Sequence, residues 1–170
     1  WGSLGYGQGY ALAEDRACTL IDLVVKVRGE RAQWFGAGEN DEHVNSDFAY
    51  RHLGLWADAP ERWADQSPRV QDVITGYVAG FNDQLAAAGL DGWCAGEPWA
   101  EENTAITTQD LYAYVSDILL LASSQNLIQE IGRAQPPAPA PPGSAAPVAS
   151  EPAGFTMAPI EAPATANDLV

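Results

Sequence analysis

Between Ser67 and Gly89 the apolar residues Val70, Val73, Ile74, Tyr77, Val78, Phe81 and Leu85 recur every three or four positions. That spacing places them on one stripe of an α-helix. Ser67 offers an N-cap oxygen, Pro68 fits the first turn because it has no amide to satisfy, and Gly89 is a stop. This is the most secure element of the chain, and the remaining elements have to supply the faces that cover it.

A second stripe, Ala13, Ala17, Leu20, Ile21, Val24 and Val27, predicts a long amphipathic helix from Tyr10 to Arg28, closed by Gly29. Ser46 can cap a short helix through Phe48, Ala49, His52 and Leu53 that ends near Gly54. After a loop from Leu90 to Ala105, Thr107 and Asp110 have the spacing of a capping box. The helix they open runs through Leu111, Tyr114, Val115, Ile118 and Leu119 and is expected to continue as far as Ile131. The segment from Trp34 to Asp47 has no helical period and reads as a loop whose acids Glu39, Asp41, Glu42 and Asp47 are solvated.

Beyond Arg133 the composition shifts to Pro and Ala, with too little bulk to bury a core. Residues 1–133 are therefore expected to form a mainly α domain, and 134–170 a Pro/Ala-rich tail or linker. The chain opens at Trp1 without an initiator methionine, so a segment removed ahead of it is expected.

Eight Lys and Arg against 23 Asp and Glu give a formal charge of −15, which opposes binding to nucleic acid or to anionic lipid. The longest apolar run, Ile118 to Ala122, is far short of the roughly 20 residues of a membrane span. Cys18 and Cys94 fit either a disulfide in an oxidising compartment or two unrelated thiols.

Chemistry within the chain is sparse. His43 and His52 have no partner at zinc-site spacing, and the acidic loop lacks the alternate ligand pattern of a calcium site, so no metal is expected. Ser3 lies outside a nucleophile-elbow pattern, and nothing in the spacing joins it to His52 and an acid as a triad. Gly5, Gly7 and Gly9 resemble a phosphate loop only superficially, because no strand precedes them and the third glycine comes one position early. Close packing of backbone against another element explains them better.

Read as one string, Gly2, Ser3, Leu4, Gly5, Tyr6, Gly7, Gln8, Gly9, Tyr10 and Ala11, with Ala13 to Cys18, Gly29 to Arg31 and Trp34 to Gly36, resemble the α subunit of the penicillin acylase family. Gly76, Tyr77, Ala79 to Asn82, Cys94, Gly96, Pro98 and Trp99 are similar to its branch of acyl-homoserine lactone and aculeacin A acylases. The likeness extends from residue 2 to about 122.

The resemblance implies an exported precursor that cuts itself into a small α and a large β chain. It implies an αββα N-terminal-nucleophile hydrolase sandwich, completed by the β chain and wrapped by this one. The nucleophile would be the β chain's first residue, a Ser whose own α-amino group serves as base, so no catalytic residue and no cofactor are expected here. The substrate would be a small N-acyl amide, an acyl-homoserine lactone or an acylated peptide or antibiotic, hydrolysed in the periplasm or outside the cell. Matching the last long helix puts Tyr114 and Ile118 at positions lining the acyl pocket, with Ala122 one turn further along the same face. Taken from the periodicity alone, the same three residues read as plain core. The resemblance also implies a Cys18 to Cys94 disulfide. The competing reading is a noncatalytic, secreted helical binding domain carried on a Pro-rich linker.

Overall fold

Two glycine pairs decide how the two longest helices meet. The structure, a computed structural model, describes residues 1–89 and 94–136. Helix α1 spans Gly2–Arg28 and α5 spans Pro68–Ala88, and their contact is the most extensive between any two elements. Gly5 and Gly9 on α1 face Gly76 and Gly80 on α5. A Cβ on Gly5 would collide with the carbonyl oxygen of Val73, one on Gly9 with that of Tyr77, one on Gly76 with that of Gly2, and one on Gly80 with that of Tyr6. The backbones touch, and only glycine permits it. Gly7 takes no part, since a Cβ there would meet nothing.

This packing also corrects the start of α1, expected at Tyr10. Glycine costs about 1 kcal/mol per residue in a helix relative to alanine. The isolated segment therefore reads as non-helical, yet it is helical from Gly2 because α5 receives it. The helix kinks at Arg16, where the backbone is non-helical, and resumes to Arg28. Gly29, at φ 69° and ψ 48°, ends it with amide bonds from Gly29 to Lys26 and from Glu30 to Val25. That pair is a Schellman stop.

Helix α2, Arg31–Phe35, is capped from a distance. The Asp47 carboxylate accepts the Arg31 amide at 2.9 Å and the Ala32 amide at 2.8 Å. Asp47 is only 8% exposed, so it is not a solvated loop acid. It sits in α3, Glu42–Leu53, which starts before Ser46 and makes that residue helical interior instead of a cap. The short α4, Ala59–Ala64, carries no apolar stripe long enough to announce itself.

At α5 the Ser67 hydroxyl accepts the Val70 amide as the sequence predicts. Helix α6, Thr108–Leu119, opens with the complete Thr107 and Asp110 capping box. It ends twelve residues before Ile131. Polar side chains take over the carbonyls that a longer helix would use: Ser123 Oγ donates to Leu120 O and Asn126 Nδ2 to Leu121 O. A 3-10 turn, Ser124–Leu127, then leads into α7, Ile128–Arg133.

Among the described residues the fold is all helix and loop, with no strand. The unit formed by Trp1–Gln135 has two apolar centres. One gathers Leu20, Ile21, Val24, Phe81, Trp99 and Leu111 between α1, α5 and the loop before α6. The other gathers Val27, Tyr50, Leu55, Ala113 and Ile128. Cys18 and Cys94 are joined, with their Cα atoms 5.5 Å apart, tying α1 to that loop. Asn82 clamps the same loop from α5 by donating to Ile106 O and accepting from Ile106 N. The Pro/Ala-rich tail from residue 137 lies outside the described residues.

The glycine crossing predicts opposite signs for two similar substitutions. Gly5→Ala forces the helices apart and should cost about 3 kcal/mol. Gly7→Ala adds helix propensity at an open position and should gain about 0.5–1 kcal/mol. Chemical denaturation of the two variants beside the parent measures both, and equal effects would rule out the backbone contact.

Candidate functional site

Helix α6 is held by two buried carboxylates, one at each end. Asp110, fully buried, receives Arg28 Nε at 2.7 Å on one oxygen and Arg28 Nη2 at 2.6 Å on the other, a bidentate pair. Trp56 Nε1 adds a bond at 2.8 Å, and the Thr107 amide and hydroxyl add bonds at 2.8 and 2.7 Å. Arg28 Nη1 reaches Asn103 Oδ1 at 3.0 Å, and Asn103 in turn donates to Trp99 O. Burial opposes a charge on Asp110, but the bonds from Arg28 and Thr107 outweigh it and hold the carboxyl below its ordinary value.

Two turns later Asp117, 2% exposed, makes the second anchor. Lys26 Nζ approaches Oδ2 at 2.8 Å, Tyr50 OH donates to Oδ1 at 3.1 Å, and Gln125 Nε2 lies 3.0 and 3.1 Å from the two oxygens. Burial lowers the Lys26 ammonium pKa, yet the Asp117 hydrogen bond and the charges around it bring it above its usual value. Asp110, Ala113 and Asp117 thus form the inward row of α6 at spacings of three and four residues.

The apolar residues of α6 go from buried to exposed along its length: Leu111 lies in the core, while Ile118 and Leu119 at its end turn outward. Tyr114 is half-buried between the two apolar centres. The adjacent Tyr77 hydroxyl is pushed up to about 12 by burial and by Tyr114. Ile118, one turn on, is 41% exposed and lies outside this chain's own core. Leu119, Leu121 and Leu127 around it are more than half exposed. Ala122 is exposed in the turn beyond the helix, not one turn further along the α6 face as the longer helix would have put it. The structure thus brings Tyr114 and Ile118 onto one face and leaves Ala122 outside that row.

Several surface clefts lie elsewhere. The first, of about 460 Å³, is lined by Asp22, Arg31, Phe35, His43, Glu97 and Trp99, and His43 stacks on Phe35 at 5.7 Å. His52 stacks on Phe48, and Ser3 is exposed near the start of α1. Among the described residues no three His, Cys, Asp or Glu side chains are grouped to hold a metal ion.

Sequence reading gives Asp110 a capping role but not its partner Arg28, and it does not single out Asp117, because an acid in so acidic a chain reads as solvated. A signal was present in the seven-residue interval from Asp110 to Asp117, which keeps both on one face, and in Lys26 and Arg28 at the end of α1.

Asp110→Asn keeps the shape but leaves Arg28 without its anion, so it should cost about 3 kcal/mol at neutral pH. The folded pKa of Asp110 lies below the ordinary 3.8. Its contribution is therefore fully present above about pH 4 and lost as pH falls through the folded value. The gap in stability between parent and variant should narrow on acidification, and urea midpoints measured down the pH scale check it.

Known proteins resemble this chain in sequence over most of its length. The family model described as penicillin amidase matches residues 1–154. The chain is 35% identical over 141 residues to an acyl-homoserine lactone acylase, PvdQ, of Pseudomonas savastanoi pv. phaseolicola, covering 79% of this chain and 18% of that protein. It is 34% identical over 162 residues to the aculeacin-A acylase of Actinoplanes utahensis, covering 85% and 20%. The PvdQ acylase of Pseudomonas syringae pv. tomato is likewise 34% identical over 79% of this chain. The chain spans about a fifth of the length of these relatives. With the matched region covering the whole helical unit, from the glycine crossing to both anchors of α6, this chain belongs to the penicillin amidase family.

Proposed function

We propose that this chain is the small subunit of a two-chain acylase that hydrolyses the amide bond of an N-acyl substrate, and that it supplies part of the wall that selects the acyl group. The observation that carries this reading is the exposed apolar end of α6. Its carboxylates are buried and paired while Ile118 and Leu119, and Leu121 in the turn beyond, face out, an arrangement that suits a helix end covered by a second chain and a ligand.

In this reading the β chain of the same precursor provides the αββα sandwich and the nucleophile. The hydroxyl of its N-terminal Ser attacks the acyl carbonyl while the α-amino group takes the proton. The leaving amine departs, and water then releases the acid. Maturation is by self-cleavage of an exported precursor, in the periplasm or outside the cell. The present chain contributes no reacting group. Tyr114 and Ile118 present an apolar surface one turn apart, and Ala122, outside that row, is not part of the wall.

Such a surface fits an aliphatic acyl chain, each methylene buried adding up to about 0.8 kcal/mol. The names of the relatives, acyl-homoserine lactone acylase and aculeacin-A acylase, support an acylated amide as the substrate class.

In the processed two-chain enzyme, Ile118→Trp should fill the wall and reduce kcat/KM for dodecanoyl amides by about tenfold relative to octanoyl amides. Rates across an acyl-length series give the result. An unchanged length profile would remove Ile118 from the pocket.

A further inference from the structure

We propose that Asp117 is a positioning residue for acyl selection: its buried carboxylate fixes the last turn of α6 and thereby the place of Ile118. This rests on the reading that Ile118 lines the acyl pocket.

Ile118 cannot hold its own position. Its side chain is 41% exposed, and α6 ends one residue later, at Leu119. The turn that follows is closed by the Leu120 amide bonding back to Asp117 O and the Leu121 amide to Ile118 O. Helix termini are where local opening costs least. What resists it here is the neighbouring side chain.

The Asp117 carboxylate collects Lys26 from α1, Tyr50 from α3 and Gln125 from the 3-10 turn, three elements meeting on two oxygens. Adjacent Cα atoms are a fixed distance apart, so tying residue 117 to three elements also confines residue 118. The bond from Gln125 adds a second effect. It draws the segment after the turn back onto α6 and so sets where Leu121, exposed between the two, is presented. A wall displaced by even a fraction of an ångström grips a long acyl chain differently from a short one, because the long chain makes more contacts with it.

The test uses the processed two-chain enzyme and the ratio of kcat/KM for dodecanoyl over octanoyl amides. Asp117→Asn keeps the volume but replaces an acceptor by a donor facing Lys26 or Gln125. Gln125→Met removes only the bonds from the turn, and it decides the matter if Asp117→Asn fails to mature. Both are expected to shift the ratio by at least about threefold through KM. Val24→Ala, a core change within α1, should lower thermal stability and leave the ratio alone.

An unshifted ratio in both variants, with Ile118→Trp shifting it, would overturn the positioning role while leaving the pocket reading intact. An equal shift in Val24→Ala would also overturn it, by showing that general loosening suffices. No shift from Ile118→Trp would sink the pocket reading, and this inference with it.

Discussion

The contact on which the rest of the molecule depends is the crossing of α1 and α5 at four glycines. Each glycine Cα faces a carbonyl oxygen of the other helix, and the relation is reciprocal: Gly5 and Gly9 face Val73 and Tyr77, while Gly76 and Gly80 face Gly2 and Tyr6. Weak Cα–H···O contacts of this kind contribute about 0.5–1 kcal/mol each, which roughly offsets the helix propensity that four glycines give up. The net gain is geometric. With the first turns of α1 locked on the backbone of α5, the second half of α1 enters the core with Leu20, Ile21 and Val24 inward and delivers Lys26 and Arg28 to α6.

That delivery explains how so acidic a chain buries carboxylates. Lys26, Arg28 and Arg31, three of only eight basic residues, pair with Asp117, Asp110 and Asp22. Two of them stand in the last turn of α1, where cations also meet the negative end of the helix dipole. An unpaired carboxylate at the depth of Asp110 would be protonated or would disrupt the packing. Paired, each fixes one end of α6 against α1.

How much of this was legible follows from which interactions are local. The capping box at Thr107, the Ser67 and Pro68 start of α5 and the Gly29 stop are encoded within a few residues, and each appears where the sequence predicts it. The helical state of Gly2 to Gly9 depends on a partner some seventy residues away, so local propensity misleads there. The end of α6 falls short of the expected Ile131 because the amides of Ser123 and Gln125 turn back onto Leu120 O, with Ser123 Oγ and Asn126 Nδ2 adding bonds to Leu120 O and Leu121 O. Asp47 was misread because its capping partners, the amides of Arg31 and Ala32, belong to a different helix. At the candidate site, Tyr114 and Ile118 are singled out only by resemblance to a family. The reason Ile118 is exposed lies in Asp110 and Asp117, which form the inward row with partners far off in sequence.

The exposed apolar end of α6 also bears on how the proposed acyl wall could be held in place. A helix that satisfied its own apolar row would have no surface left for a ligand, and one that exposed that row without an anchor would collapse it inward. Burying acids against fixed cations removes the second option, since turning α6 to hide Ile118 and Leu119 would expose Asp110 and Asp117 while stranding Arg28 and Lys26. The charge pairs therefore act less as a source of stability than as a constraint on rotation. They hold the apolar end of α6 where burial alone would never leave it, and the proposed acyl wall depends on a face held in that way.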